Sequence, residues 1–220
     1  MPPFRKGKAV ILHESLRVTW RVTPLQPPLV RRHCSRCSGD MLFACGMKFR
    51  TNAQKKRIDV WLIYRCSACD EVWNLPLFER IGVGAIAPDA FDAIARNDPS
   101  LALRHAFDRT RLMRHGTIEE RSDVSIRKSR DEGCAHGASI ITITLALAAP
   151  CGLRLDRLLA GGLGVSRAQL DRLHDAGALR MLPLTRKALR NPIVDGQTIA
   201  VDLIPLDCAL AETLRRGALA

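Results

Sequence analysis

The chain of 220 residues contains no run of 18 apolar residues, which excludes a membrane-spanning helix. Its longest apolar stretch, Ala138 to Leu153, is interrupted by Ser139, Thr142, Thr144 and Pro150 and reads as a buried strand. No secretory leader is expected either. Arg5, Lys6 and Lys8 precede an apolar segment that stops at His13 and Glu14, too short for a leader's hydrophobic region, so a cytoplasmic protein with no membrane partner is expected. Catalytic patterns are equally scarce. There is no Ser/His/Asp set, no HExxH and no phosphate loop, and Gly82-Val83-Gly84 lacks the third glycine of a dinucleotide fingerprint. The composition excludes one more state: with 47% hydrophobic residues the chain can bury real cores and is not disordered.

Charge is plentiful and of one sign. The net charge is +12, from 34 basic and 22 acidic residues. Residues 1–74 hold 14 basic and 5 acidic side chains, residues 75–138 balance at 10 of each, and residues 139–220 hold 10 and 7. The two basic ends point to a polyanionic partner, nucleic acid first, against the plainer reading of ordinary solvated faces.

Eight cysteines are present, and four form two pairs: Cys34-x2-Cys37 and Cys66-x2-Cys69, with 28 residues between the pairs. In a cytosolic chain disulfides are unexpected. Two knuckles supply the four thiolates that tetrahedral zinc takes, so Cys34, Cys37, Cys66 and Cys69 are expected to hold a structural Zn²⁺. Between them Phe43, Cys45, Met47 and Phe49 alternate with polar or small residues, as do Ile58, Val60, Leu62 and Tyr64. That period of two predicts two strands, with a polar basic turn from Thr51 to Lys56 and a third strand from Val72 and Trp73. The expectation is a zinc ribbon. Cys45 falls on the apolar side and reads as core. Four thiolates and one Zn²⁺ leave −2 at such a site, which Arg32, Arg36 and Arg65 would partly neutralise.

The run from Phe49 to Cys66, Phe-Arg-Thr-Asn-Ala-Gln-Lys-Lys-Arg-Ile-Asp-Val-Trp-Leu-Ile-Tyr-Arg-Cys, resembles the pattern of a bacterial family known as domain of unknown function 1062, and Val18-Thr19-Trp20 and the Cys34 knuckle fit it too. The resemblance runs from about residue 16 to the C-terminus and implies no reaction. Residues 1–15 read as an N-terminal extension, 16–74 as the zinc ribbon, 75–137 as a mainly helical connector and 138–220 as a strand followed by a last module.

In the connector, Pro88-Asp89 opens a short helix carrying Phe91, Ile94 and Ala95, and Ser100 is the expected N-cap of a second helix reaching Met113. His105 and His115 lie on that helix ten residues apart, a spacing that suits no metal. Cys134 and His136 fall in a polar loop as a free thiol and a solvent-facing imidazole. In the last module, Leu155, Leu158 and Leu159 predict a helix and Gly161 to Gly164 a tight turn. Ser166 and Gln169 have capping-box spacing before a second helix, and Val165 and Leu170 have that of a hydrophobic staple. Gly177 is the expected end of that helix. A strand from Leu179 to Leu184, a basic loop with Arg186, Lys187 and Arg190, a turn at Asp195-Gly196 and a strand through Ile199, Val201 and Leu203 follow.

This order, with Arg154-Leu155-Asp156-Arg157-Leu158-Leu159, Ser166-Arg167, Gly177 and Asp195-Gly196-Gln197-Thr198-Ile199, resembles the S4 RNA-binding domain, an αα–β unit. It departs from that pattern in lacking an Asn-Gly turn after Gly177 and in carrying Gln197 where an acidic residue is usual. The resemblance implies that Arg154, Arg157, Arg167 and Arg172, with Arg180 and Lys187 behind them, contact structured RNA. The sequence therefore reads as an α+β protein of zinc ribbon, helical connector and S4-like module. Its expected function is binding of structured RNA, ribosomal or transfer, with zinc in a structural role. A protein-interaction adaptor using the ribbon, or an enzyme acting on RNA or nucleotides with an unrecognised site, are the competing readings.

Overall fold

The computed structural model describes residues 15–131, 138–182 and 188–220. Along the chain the elements run β1 (Ser15–Pro24), β2 (Leu29–Cys34), β3 (Gly39–Gln54), β4 (Arg57–Cys66), β5 (Val72–Gly82), α1 (Pro88–Ala95), α2 (Pro99–Ala106), α3 (Arg109–Met113), β6 (Thr117–Glu119) and β7 (Val124–Arg130). They continue with β8 (Ile140–Leu147), α4 (Leu155–Leu163), α5 (Arg167–Asp175), β9 (Leu179–Leu182), β10 (Thr198–Asp202) and α6 (Cys208–Leu219). The class is α+β, with strands dominating the first 82 residues.

Two compact units divide the chain, and they do not follow the sequential division expected from the sequence. One comprises Met1–Thr23, Ser125–Ala148 and Leu153–Ala220; the other comprises Pro24–Val124 with Ala149–Gly152. The strands β2 to β5 and the three helices that follow them therefore share one unit, while residues 16–23 belong with the C-terminal part of the chain. The cause is long-range strand pairing.

In the first unit β1 pairs parallel with β8, from Ser15 opposite Ile140 to Val22 opposite Leu147. The five strands lie in the order β7-β1-β8-β10-β9. Leu16, Val18, Trp20 and Val22 alternate into the core from β1, and Ile141, Ile143 and Leu145 do so from β8. The apolar stretch around Ile140 is thus the central strand. α4 adds Leu155, Leu158, Leu159 and Leu163 to this unit's buried residues, and α6 adds Leu214.

Gly161 and Gly162 are helical, correcting the expected turn: α4 runs through them, and Gly164 at φ +70° ends it. Gly162 is required by packing, because a Cβ there would overlap the ring of Trp20. The Trp20 Nε1–H donates to the Ala218 carbonyl at 3.0 Å. Lys128 donates to the carbonyls of Gly162 (2.8 Å) and Gly217 (2.7 Å), so its ammonium meets the C-terminal ends of both α4 and α6. Its pKa is lowered by burial. α6 itself was not expected from the sequence. Its first turn is capped by Asp207, whose carboxylate accepts from the Leu210 N–H at 2.8 Å.

The capping box is present: the Ser166 hydroxyl accepts from the Gln169 N–H (3.2 Å), and the Gln169 side chain accepts from the Ser166 N–H (2.8 Å). Ser166→Ala is expected to cost about 1 kcal/mol in urea unfolding, because one orphan donor of the first turn loses its partner.

In the second unit all strand pairs are antiparallel, in the order β5-β4-β3-β2-β6. Ile58, Val60, Leu62, Tyr64 and Cys66 line one buried face of β4, and Trp61 and Ile63 occupy the other at intermediate exposure. α1, α2 and α3 contribute Ile94, Leu101, Ala102, Ala106 and Leu112 to the same core. The single long helix expected here is two. α2 is capped by Asp98, whose carboxylate accepts from Leu101 N–H, so Asp98 and not Ser100 is the N-cap. Phe107 ends it, Asp108 caps α3, and His115 lies beyond α3. The β3–β4 turn is also shorter than expected. β3 continues to Gln54, and only Lys55 (φ 50°) and Lys56 (φ 62°) turn the chain. Cys134, His136, Leu184, Arg186 and Lys187 lie outside the described residues.

Candidate metal centre

Both cysteine pairs are built on one local plan. Cys34 closes β2, Cys37 follows in the turn, and Ser38 adopts φ +55° before β3 begins. Cys66 closes β4, Cys69 follows, and Asp70 adopts φ +59° before β5. In each, a left-handed residue straight after the second cysteine reverses the chain tightly enough to bring two thiols one turn apart to the same side. The second turn is held by Asp70 N–H donating to the Cys66 carbonyl (3.0 Å) and Cys66 N–H donating to that of Glu71 (2.9 Å).

The sheet brings the two turns together. Phe43 lies opposite Cys66 and Gly39 opposite Cys34, so both knuckles sit at the same end of the β2–β3–β4 ladder. All four sulfurs lie within 4.8 Å of one another. The Sγ atoms of Cys34 and Cys69 are 3.6 Å apart, and those of Cys37 and Cys66 are 4.0 Å apart. These distances are twice a disulfide bond, of about 2.05 Å, and the thiols are free. They match the sulfur–sulfur edge of about 3.8 Å in a tetrahedron with metal–sulfur bonds of about 2.3 Å. The four cysteines expected from the sequence are thus one cluster able to bind a metal ion.

The protons on these thiols differ. The Cys37 thiol is pushed up to about 12, chiefly by its hydrogen bond with Cys69 and by burial. Burial also pushes the Cys66 thiol up, but the N–H groups of Ala68 and Cys69 and the neighbouring thiols outweigh it and bring it down to about 7. Metal capture at neutral pH therefore expels protons, above all from Cys37, and affinity falls as pH falls.

Two arginines brace the knuckles: Arg36 donates to the Cys69 carbonyl (3.3 Å) and Arg65 to that of Asp70 (3.5 Å). Arg32 lies over the Trp73 ring, 4.2 Å from its centroid. Trp73 packs in turn against Tyr64 (5.0 Å), His115 (5.6 Å) and Phe43 (6.1 Å, edge-on). His115 is kept below its usual pKa by burial and then by Arg32, which favours the neutral ring. His105 stacks edge-on with Phe49 at 6.3 Å. Neither histidine joins the cysteine cluster. Cys45 is half-buried with its thiol pushed up by burial, consistent with core, and Cys151 is buried.

The arginines expected to meet RNA are scattered along the other unit. Arg154, the residue before α4, donates twice to the Asp156 carboxylate (2.5 and 3.1 Å). Arg157 is exposed one turn later. Arg167 and Arg172 are exposed but lie about 140° apart around α5, on different sides of it. Arg172 donates to the Ala168 carbonyl (3.3 Å), and Arg180 to that of Gly177 (3.1 Å). The sequence gives no sign of the Arg32–Trp73 contact, and it places Lys55 and Lys56 in a basic turn without assigning them a role. No helix among the described residues is long and apolar enough to cross a membrane.

No curated protein and no solved structure matches the chain. A family model described as Protein of unknown function (DUF1062) matches residues 51–183. The match spans most of the chain, takes in Cys66 and Cys69, and begins after Cys34 and Cys37. The chain belongs to this DUF1062 family.

Proposed function

We propose that the protein is a zinc-bearing RNA-binding protein. The zinc is structural. Four thiolates fill a tetrahedral shell and leave no position for water or substrate, so the metal would fix the knuckles and carry no chemistry. Cys34, Cys37, Cys66 and Cys69 would hold it, in a zinc ribbon.

One observation carries the RNA reading: the end of the β3–β4 hairpin is a cationic arm. Every residue from Arg50 to Arg57 is exposed, and this end of the sheet carries Arg50, Lys55, Lys56, Arg57 and Arg80 against two acidic residues, Asp59 and Glu79. Asp59 is occupied, accepting from the Arg80 N–H at 2.7 Å. The turn is also built against local preference. Two-residue hairpin turns with both φ values positive favour Asn-Gly, because a Cβ is strained there. Lysines at both positions give up stability and place two ammonium groups at the tip. An RNA duplex hides its base edges in a deep, narrow groove and presents phosphate and 2′-hydroxyls, which a cationic end of the β3–β4–β5 sheet suits. The S4-like reading of α4, α5 and β9 adds a second basic surface, with Arg157 and Arg167 among its exposed members.

The test exploits the strained turn. Lys55→Asn with Lys56→Gly removes two charges and supplies the preferred turn residues. Stability should rise by about 1 kcal/mol or more. Affinity for a structured RNA should fall, with the slope of log K against log salt reduced by about two phosphate contacts. Arg167→Ala should reduce it by about one at most. Arg96→Ala, which removes an exposed charge after α1, should leave it unchanged. Equal effects from Arg96 and the lysine pair would mean that binding is diffuse charge.

A further inference from the structure

A cavity of about 310 Å³ opens beside the first knuckle, among Arg32, Ser35, Glu71, Trp73 and Asn74. Its polar groups are mismatched with their surroundings. The Arg32 guanidinium lies over the Trp73 ring, 4.2 Å from its centroid, and has no carboxylate within ion-pair distance and no hydrogen-bond acceptor among the described residues. The Asn74 Oδ1 is buried and likewise accepts from no described group. Glu71 adds a carboxylate with no cationic partner within ion-pair distance among the described residues. An unused donor fork and an unused carboxylate thus share one space, and the unsatisfied Asn74 oxygen lies buried in its wall.

The required ligand follows from that pairing. A simple anion would satisfy Arg32 but leave the Asn74 oxygen unpaired and meet the Glu71 charge. A cation would do the reverse. A planar group with acceptors on one side and donors on the other satisfies all three, and guanine has that edge. Its O6 and N7 accept, matching an arginine fork, and its N1–H and N2–H₂ donate, matching a carboxylate and an amide oxygen. Adenine, cytosine and uracil each offer a single donor group among acceptors. The cavity lies at the lower end of the usual range for small-ligand sites.

We infer that this cavity takes an unpaired guanine base, with Arg32 reading O6 and N7 and Glu71 and Asn74 reading the N1–H and N2–H₂ donors. The inference rests on the RNA-binding reading and deepens it: the cationic arm would hold the backbone, and the cavity would select a base splayed from a loop or end. Arg32 has a second effect here. Its stack on Trp73 fixes the plane of the fork before the base arrives, so little ordering is left to binding.

The experiment uses the zinc-loaded full chain and four labelled hexanucleotides, UUUGUU, UUUAUU, UUUCUU and UUUUUU, in fluorescence anisotropy. Binding to UUUGUU should be roughly tenfold tighter than to the others. Asn74→Leu and Glu71→Gln should each erase most of that preference, while Asn74→Asp, which keeps the acceptor, should retain more of it than Asn74→Leu. Zinc content confirms that each variant folds, and Glu71→Gln serves as the mildest change should Asn74→Leu lose zinc. Equal affinity for all four oligonucleotides, or full preference in both Asn74→Leu and Glu71→Gln, overturns the inference and leaves the RNA reading standing if structured RNA still binds. If no RNA binds, the RNA reading falls, and titration with guanosine monophosphate decides the cavity by itself: shifts at Trp73 and Asn74 support it, and none overturns it.

Discussion

Cys66→Ser is expected to abolish metal binding and the fold of residues 34–73 together. The cause is linkage: a tetrahedral site exists only in the folded state, so the free energy of metal binding is folding free energy. Here the dependence is heightened by position. Cys66 is the last residue of β4 and fully buried, its N–H closes the second turn through Glu71, and Phe43 lies opposite it in the ladder. A serine keeps the size and the backbone but presents a poor zinc ligand, and the three remaining thiols no longer complete a shell. Limited proteolysis of the full chain should cut the variant within residues 34–73, where the metal-loaded parent is resistant. Cys208→Ser, at the exposed start of α6, should change neither metal content nor cleavage. A Cys66→Ser protein that keeps metal and protease resistance would show that the knuckles stand without the fourth sulfur.

Trp20→Ala should be the most damaging single change in the other unit, at about 3–5 kcal/mol of stability. The indole is fully buried, its N–H is used by the Ala218 carbonyl, and the Lys128 ammonium sits 4.8 Å from the ring. Removing it opens a cavity against Gly162 and strips the carbonyl of its donor. Lys128 would also lose the π face that partly offsets its desolvation. The converse change is informative. Gly162→Ala forces a methyl into the ring and should cost about 1–3 kcal/mol. In a Trp20→Phe background that cost should shrink, because the atoms in conflict belong to the six-membered ring of the indole. Urea unfolding of the four proteins measures the coupling, and additive effects would contradict the packing described here.

These two sites mark the boundary of what could be read from residues alone. The cysteine cluster was legible because its determinants are local: two C-x2-C turns, and strands whose alternation at Ile58, Val60, Leu62 and Tyr64 sets the face. The capping box at Ser166 was legible for the same reason. What escaped depends on distant partners. The pairing of β1 with β8 joins residues more than a hundred positions apart, and no turn chemistry announces it. Gly161-Gly162 looks like a turn until Trp20 is placed beside it; packing demands a residue without a side chain, and helix geometry accommodates it. α6 was hidden by the opposite problem. Its core residues Ala211, Leu214 and Ala218 have helical spacing, but two of the three are small, and Gly217 argues against a helix until the close approach to Leu163 is seen. Asp98 rather than Ser100 caps α2 because Pro99, with its fixed φ and no N–H to satisfy, is that helix's first residue. The arginines proposed to meet RNA in α4, α5 and β9 follow from position along the chain alone. The bond from Arg154 to Asp156 and the angular separation of Arg167 and Arg172 appear only in three dimensions.

RNA binding through localised cations, and not through diffuse charge, is what separates the proposed function from the readings that compete with it. The most direct test is a titration of the zinc-loaded full chain with a structured transfer RNA between about 50 and about 200 mM salt, repeated with the Lys55→Asn, Lys56→Gly protein. The expected result is binding whose log K falls linearly with log salt, with a shallower line for the double variant and an unchanged line for Arg96→Ala. Absence of binding, or lines of equal slope for all three proteins, would contradict it.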